Sequence, residues 1–132
     1  MIKKIETQQA PKAIGPYSQA IVVPAKESLC FVSGQLPIDP NTQEMIKGDI
    51  GALTRLVLDN IEAILLACGS SLEQVVRTDV FLKDIQKDFQ GMNEEYSRRF
   101  STQNPPARQT IQAAELPKGS PIEISCIAVV KS

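Results

Sequence analysis

The chain has 132 residues, 42% hydrophobic and 22% charged, the composition of an ordinary globular protein, and the expectation is one domain over 1–132. Its 14 basic and 15 acidic side chains leave a formal charge of -1, so no basic footprint draws the surface toward nucleic acid or anionic lipid. Histidine is absent, which excludes Ser-His-Asp and Cys-His catalysis and removes the commonest transition-metal ligand.

A short N-terminal strand is predicted at residues 2–6. Two apolar runs, 20–23 and 29–32, flank the turn-forming stretch Pro24-Ala25-Lys26-Glu27-Ser28 and predict a β-hairpin. Residues 33–42 are rich in turn formers and include two prolines that cannot donate, so an ordered loop is expected there. Asp49 is placed to cap a helix whose apolar positions Leu53, Leu56, Val57, Ile61, Ile64, Leu65 and Cys68 follow a 3.6-residue period, with Gly69 placed to end it. Residues 75–82, rich in β-branched and aromatic side chains, read as a strand.

From about 87 to 100, Phe89, Met92, Asn93, Tyr96 and Phe100 share one face of a second amphipathic helix. After Asn104-Pro105-Pro106, residues 107–113 form a strand, Leu116-Pro117-Lys118-Gly119 a turn, and 122–130 a strongly apolar closing strand. This order argues for an α+β domain with helices packed on one face of a mixed sheet. The last strand is apolar at both parities, Ile122, Ile124, Cys126, Ala128 and Val130 on one and Ile127 and Val129 on the other, which implies cover on both sides. In so short a chain the second cover is read as another subunit.

Cys30, Cys68 and Cys126 are far apart with no Cys-x-x-Cys pair, so neither a metal site nor a disulfide framework is suggested and reduced thiols are expected. No apolar run approaches the roughly 20 residues of a membrane-spanning helix, and the N-terminus lacks a signal peptide's apolar stretch, so the expected location is cytoplasmic, with no membrane partner. A chain of this size buries roughly two-thirds of its unfolded surface, leaving little room for a deep private cleft.

Six positions stand out chemically. Glu123 interrupts the apolar closing strand; a buried carboxylate there must be paired, hydrogen-bonded or protonated, which suits either acid–base work or a structural ion pair. Arg108 follows Pro105-Pro106-Ala107, whose restricted backbone holds the guanidinium near a fixed position, suited to bidentate capture of a small carboxylate or to a surface salt bridge. Tyr17 follows a Gly-Pro turn that fixes its hydroxyl, or it packs. Ser33 and Gly34 bring main chain close to a ligand, or simply turn the chain. Asn93 is a polar anomaly on an apolar helix face, able to fix a loop or line a pocket. If strands 107–114 and 122–130 formed one tight hairpin, Arg108 would face Ala128 and Glu123 would lie roughly 17 Å away along the strand. Either these strands are not hairpin partners, or a joint site takes the two residues from different chains.

Ala13-Ile14-Gly15-Pro16-Tyr17-Ser18-Gln19-Ala20, Ser33-Gly34-Gln35-Leu36-Pro37, Asn104-Pro105-Pro106-Ala107-Arg108, and Leu116-Pro117-Lys118 with Ile122-Glu123-Ile124 resemble the RidA/YjgF family, in the right order across nearly the whole chain. The resemblance implies a chorismate-mutase-like α+β fold and a homotrimer with three ligand pockets at its interfaces. It also implies a cofactor-free deaminase that hydrolyses reactive enamines and imines, 2-aminoacrylate, 2-iminobutanoate and 2-iminopropanoate, to 2-oxo acids and ammonia. By matching position, Arg108 would bind the substrate carboxylate and Glu123 would activate water and move protons. Tyr17 would hold water or substrate, and Ser33, Gly34 and Asn93 would shape the pocket. The Thr110 main-chain carbonyl would accept a hydrogen bond from the imine nitrogen; many relatives have cysteine at that position, which speaks against thiol chemistry here. The resemblance leaves two alternatives, a non-catalytic 2-oxo-acid-binding regulatory trimer and an endoribonuclease or translation inhibitor; the charge gives the latter little support.

Overall fold

The computed structural model describes residues 2–130; Met1, Lys131 and Ser132, the ends of the expected 1–132 span, lie outside the described residues. Six strands and two helices follow one another: β1 (Lys3–Ile5), β2 (Ala20–Val22), β3 (Ser28–Gln35), α1 (Ile50–Ala67), β4 (Val75–Leu82), α2 (Ile85–Arg99), β5 (Ala107–Gln112) and β6 (Ile122–Val130). Both helices begin on an aspartate that satisfies an otherwise unpaired amide: Asp49 accepts from Ala52 N at 2.9 Å and Asp84 from Lys87 N at 3.1 Å. α1 stops where glycine permits it. Gly69 takes φ +80, and Ser70 N donates to the Leu65 carbonyl at 2.8 Å, closing a Schellman turn.

The helical period translates into burial with one adjustment. Leu53, Val57, Ile61 and Leu65 are buried as expected, and Leu58 and Thr54 join them. Leu56 and Ile64 lie at the margin and Cys68 is exposed. Thr54 tolerates burial because its hydroxyl donates back to the Ile50 carbonyl at 2.7 Å. α1 lies over β3 and β6 and α2 over β4, so both helices cover one face of the sheet. Val80, Leu82, Ile122, Ile124 and Ala128 meet the helices there in a single core.

The sheet has the order β3-β6-β4-β5, and β1 pairs with β2 in a separate ribbon. The hairpin expected from 20–23 and 29–32 is therefore not formed. Ala20 sits opposite Ile5, while Cys30 sits opposite Ala128 of β6. β6 offers β3 a partner that is apolar on both faces, and burial against it outweighs the short local connection. β4 and β5 run parallel, joined by α2, and β4 runs antiparallel to β6. β5 and β6 are thus not hairpin partners; β4 separates them.

Residues 33–35, expected in a loop, continue β3 through a bulge. Val32 faces Cys126 and Gln35 faces Ile124, so Ser33 and Gly34 together stand against Ser125. The sheet face away from the helices remains partly bare: Leu29 is 44% and Phe31 70% exposed, across from Val129 and Ile127. No helix among the described residues is long and apolar enough to cross a membrane.

The core and the cap differ in what they contribute. Leu58→Ala is expected to cost about 2–5 kcal/mol, because a fully buried side chain leaves a cavity between α1 and the sheet. Asp49→Ala is expected to cost only about 1 kcal/mol. Urea unfolding checks both: the midpoint falls in that order, with the slope unchanged.

Candidate active site

The N-terminal loop reaches the edge of the sheet at β5. Ser18 N donates to the Pro106 carbonyl at 3.1 Å, the Ser18 hydroxyl donates to the Pro105 carbonyl, and Ser18 bridges to Ala107 in parallel. This anchor sets Tyr17 beside Arg108. Gly15 lies against the same pair: a Cβ there would stand 3.6 Å from Arg108 Nη2 and 3.4 Å from the Tyr17 ring, in ordinary contact with both. The Tyr17 hydroxyl accepts from Ile14 N at 3.2 Å and keeps its own proton free to donate.

Arg108 is held from several sides. Its Nη1 donates to Asn93 Oδ1 at 2.6 Å, and its guanidinium carbon lies 4.9 Å from the centre of the Tyr96 ring and 5.9 Å from those of Tyr17 and Phe89. Tyr96 is itself fixed, sharing a 2.7 Å hydrogen bond with the Thr78 hydroxyl and stacking on Phe100 with centroids 4.5 Å apart. Burial pulls the guanidinium below its ordinary pKa, opposed by Tyr96 and Tyr17. No carboxylate among the described residues pairs with it. A half-buried cation in an aromatic and amide cradle, with donors to spare, has the chemistry to receive an anion.

Glu123 stands elsewhere. It pairs with Phe81, whereas Arg108 pairs with Thr78, and β4 lies between them. Thr78 and Phe81 fall on opposite sheet faces, so Arg108 points toward the helices and Glu123 toward the bare face. Their backbones are roughly 14 Å apart by strand spacing and rise. The Glu123 carboxylate lies on Gly34: a Cβ at 34 would come within 2.8 Å of its Cδ, so the bulge glycine is what admits the carboxylate.

The seven residues singled out by sequence therefore form two groups within one chain. Arg108, Tyr17 and Asn93 converge, and Thr110 follows Arg108 on the same face of β5, its buried hydroxyl without a partner among the described residues. Glu123, Ser33 and Gly34 form the second group. The sequence marks Phe89 and Tyr96 only as helix-face residues; their role as walls around Arg108 depends on where α2 crosses β5. Two surface clefts of about 890 Å³ flank Ser18 and the start of α2, and neither has Arg108 or Glu123 in its wall.

The phenol under Arg108 gives a titration that reads the packing. Burial pushes Tyr96 from 10.0 to about 12. The unfolded chain releases this proton first, so the stability associated with the neutral phenol is present below pH 10 and lost as pH rises toward about 12. Ultraviolet difference absorbance is expected to show a phenolate appearing near pH 12 that is missing in Tyr96→Phe.

Comparison with known proteins converges on one group. The family model described as Endoribonuclease L-PSP matches residues 7–130. Protein DfrA of Myxococcus xanthus is 50% identical over 96% of this chain and 95% of its own length. A human relative named 2-iminobutanoate/2-iminopropanoate deaminase is 42% identical over 95% of this chain and 88% of its own. Among solved structures, RidA from an Antarctic Psychrobacter superposes with a TM-score of 0.72 at 41% identity, covering 97% of this chain and 99% of that one. Escherichia coli TdcF with bound serine superposes with a TM-score of 0.71 at 40% identity, covering 98% and 99%. With the motifs, the α+β architecture and these relatives in agreement along nearly its whole length, the chain belongs to the RidA/YjgF family.

Proposed function

We propose that this chain is a hydrolase for reactive enamine and imine intermediates, converting 2-aminoacrylate, 2-iminobutanoate and 2-iminopropanoate to 2-oxo acids and ammonia. The observation that carries the reading is Arg108: a half-buried guanidinium without a carboxylate partner, held by Asn93 and aromatic rings. Its substrate partner is a small carboxylate, and the name carried by the human relative supplies the class.

The working unit is a homotrimer of single-domain, chorismate-mutase-like subunits in the cytoplasm. Support comes from the exposed Leu29 and Phe31 on the bare sheet face and from the separation of Arg108 and Glu123. A second copy packed on that face covers the apolar patch and brings its own Arg108 group toward Glu123. Each interface then holds one complete site.

The chemistry needs little more than position. Arg108 holds the substrate carboxylate through paired N–H donors. Glu123 accepts a proton from water as the water oxygen bonds to C2 of the imine, and passes that proton to the nitrogen to give the carbinolamine. The carbinolamine then collapses: Glu123 takes the hydroxyl proton and hands it to the amino nitrogen, the C–N bond breaks, and ammonia leaves a 2-oxo acid. The Tyr17 O–H orients the water or substrate, and the Thr110 carbonyl accepts from the imine N–H. Ser33, Gly34 and Asn93 shape the pocket. An enamine first takes a proton at C3 to become the imine. Free imines hydrolyse in water, so the 10²–10⁴-fold typical of a placed general base suffices, and the absence of histidine is no obstacle. The charge of -1 speaks against the endoribonuclease activity in the family's description.

The test is release of ammonia and 2-oxo acid from 2-aminoacrylate or 2-iminobutanoate generated in situ. The wild type is expected to exceed the spontaneous rate. Glu123→Gln is expected to lose about 10²–10⁴-fold in kcat, and Arg108→Ala about 10–100-fold in kcat/KM, the worth of a charge-assisted contact. Tight binding of 2-oxobutyrate without any acceleration would replace the deaminase with a ligand-binding trimer.

A further inference from the structure

Cysteine is scattered along this sequence, yet the fold gathers the three thiols at one end of the sheet. Cys30 lies in β3 opposite Ala128, and Cys126 faces the core from β6 opposite Val32. Cys68 is the residue at which α1 ends. The turn that follows is locked to the sheet: the Ser70 hydroxyl donates to the Val129 carbonyl at 2.7 Å, and Gly69 approaches the Val130 side chain. Val129 and Val130 pair with Leu29 and Ser28, so this lock sets the end of α1 against β3. The end of α1 thereby comes down beside β3, with Cys68 close enough to Cys30 to raise the pKa of its thiol.

We infer that Cys30 and Cys68 form a juxtaposed dithiol that a hydroperoxide oxidises to a reversible disulfide within one chain. Access assigns the order of events. Cys68 is exposed, Cys30 half-buried and Cys126 buried. The neighbouring Cys68 thiol, with burial, raises the Cys30 pKa and keeps its proton on, and burial pushes the Cys126 thiol up to about 12, leaving it inert. The Cys68 thiolate attacks the O–O bond, becoming a sulfenic acid and releasing an alcohol, or water from hydrogen peroxide. The Cys30 sulfur then displaces the sulfenic hydroxyl, which leaves as water with the Cys30 proton. Two thiols and one hydroperoxide give one disulfide, one alcohol or water, and one water; two electrons pass from sulfur to oxygen. The bond closes a loop containing all of α1, so it also constrains the unfolded chain.

The experiment treats the whole chain with hydrogen peroxide and reads intact mass, peptide maps and melting. The expected product is a single chain lighter by two hydrogens, with Cys30 and Cys68 losing their reactivity to alkylation together and regaining it with dithiothreitol. Its melting temperature is expected to rise by roughly 5–15 °C. Cys126→Ser retains the bond, and Cys30→Ser or Cys68→Ser abolishes it. Oxygen added at Cys68 while Cys30 still alkylates, or disulfide-linked pairs of chains, would overturn the inference. Mapping of the wild type alone decides this if a serine variant does not fold.

Discussion

Successive side chains of a strand point to opposite faces, and every functional conclusion here depends on that alternation. Arg108 shares its parity and register with Thr78, whose side chain is wholly buried under α2; Glu123 shares its own with Phe81 on the face the helices leave bare. No rotation of either side chain brings the two charges into one pocket, because β4 stands between their strands. One chain thus carries Arg108 and Glu123 on opposite faces, and the surface on which Glu123 lies is also where Leu29 and Phe31 remain uncovered. In the proposed trimer, one act of association would bury the apolar patch and complete the chemistry.

The Arg108 half-site shows how a cation is kept ready without being neutralised. A protein carboxylate at the guanidinium would occupy the donors that the proposed function assigns to a substrate, and a fully buried unpaired charge would cost several kcal/mol. The fold takes an intermediate course, with three aromatic faces and one amide oxygen around the charge. These interactions stabilise the cation yet leave donors open. Gly34 does the equivalent for the carboxylate, since a Cβ at that position would displace the Glu123 side chain from its place beside the bulge.

What could be read from the sequence follows from how local each signal is. The capped, periodic helix from Asp49 to Gly69 needs only near neighbours, and so does the strand Val75–Leu82. The pairing of 20–23 with 29–32 failed because proximity in sequence competed with β6, a far better partner from the other end of the chain. Arg108, Tyr17 and Asn93 were each visible as a chemical anomaly, but their convergence depends on the Ser18 bridge and the path of α2. Phe89 carried no distinguishing mark; an aromatic on an apolar helix face reads as core, although it is 39% exposed beside the guanidinium. The meeting of Cys30 with Cys68 was likewise invisible, because it is set by a helix end docking on a distant strand.

The claim that a complete site requires two chains is tested most directly by mixing two impaired variants. Arg108→Ala and Glu123→Gln are each denatured, combined and refolded together, and imine hydrolysis is compared with that of either variant refolded alone. If Arg108 and Glu123 act from different subunits, about one interface in four of a random mixed trimer regains both side chains, and activity returns to about a quarter of wild type. Activity that stays at the level of the separate variants, in mixtures shown to contain mixed trimers, would contradict the account.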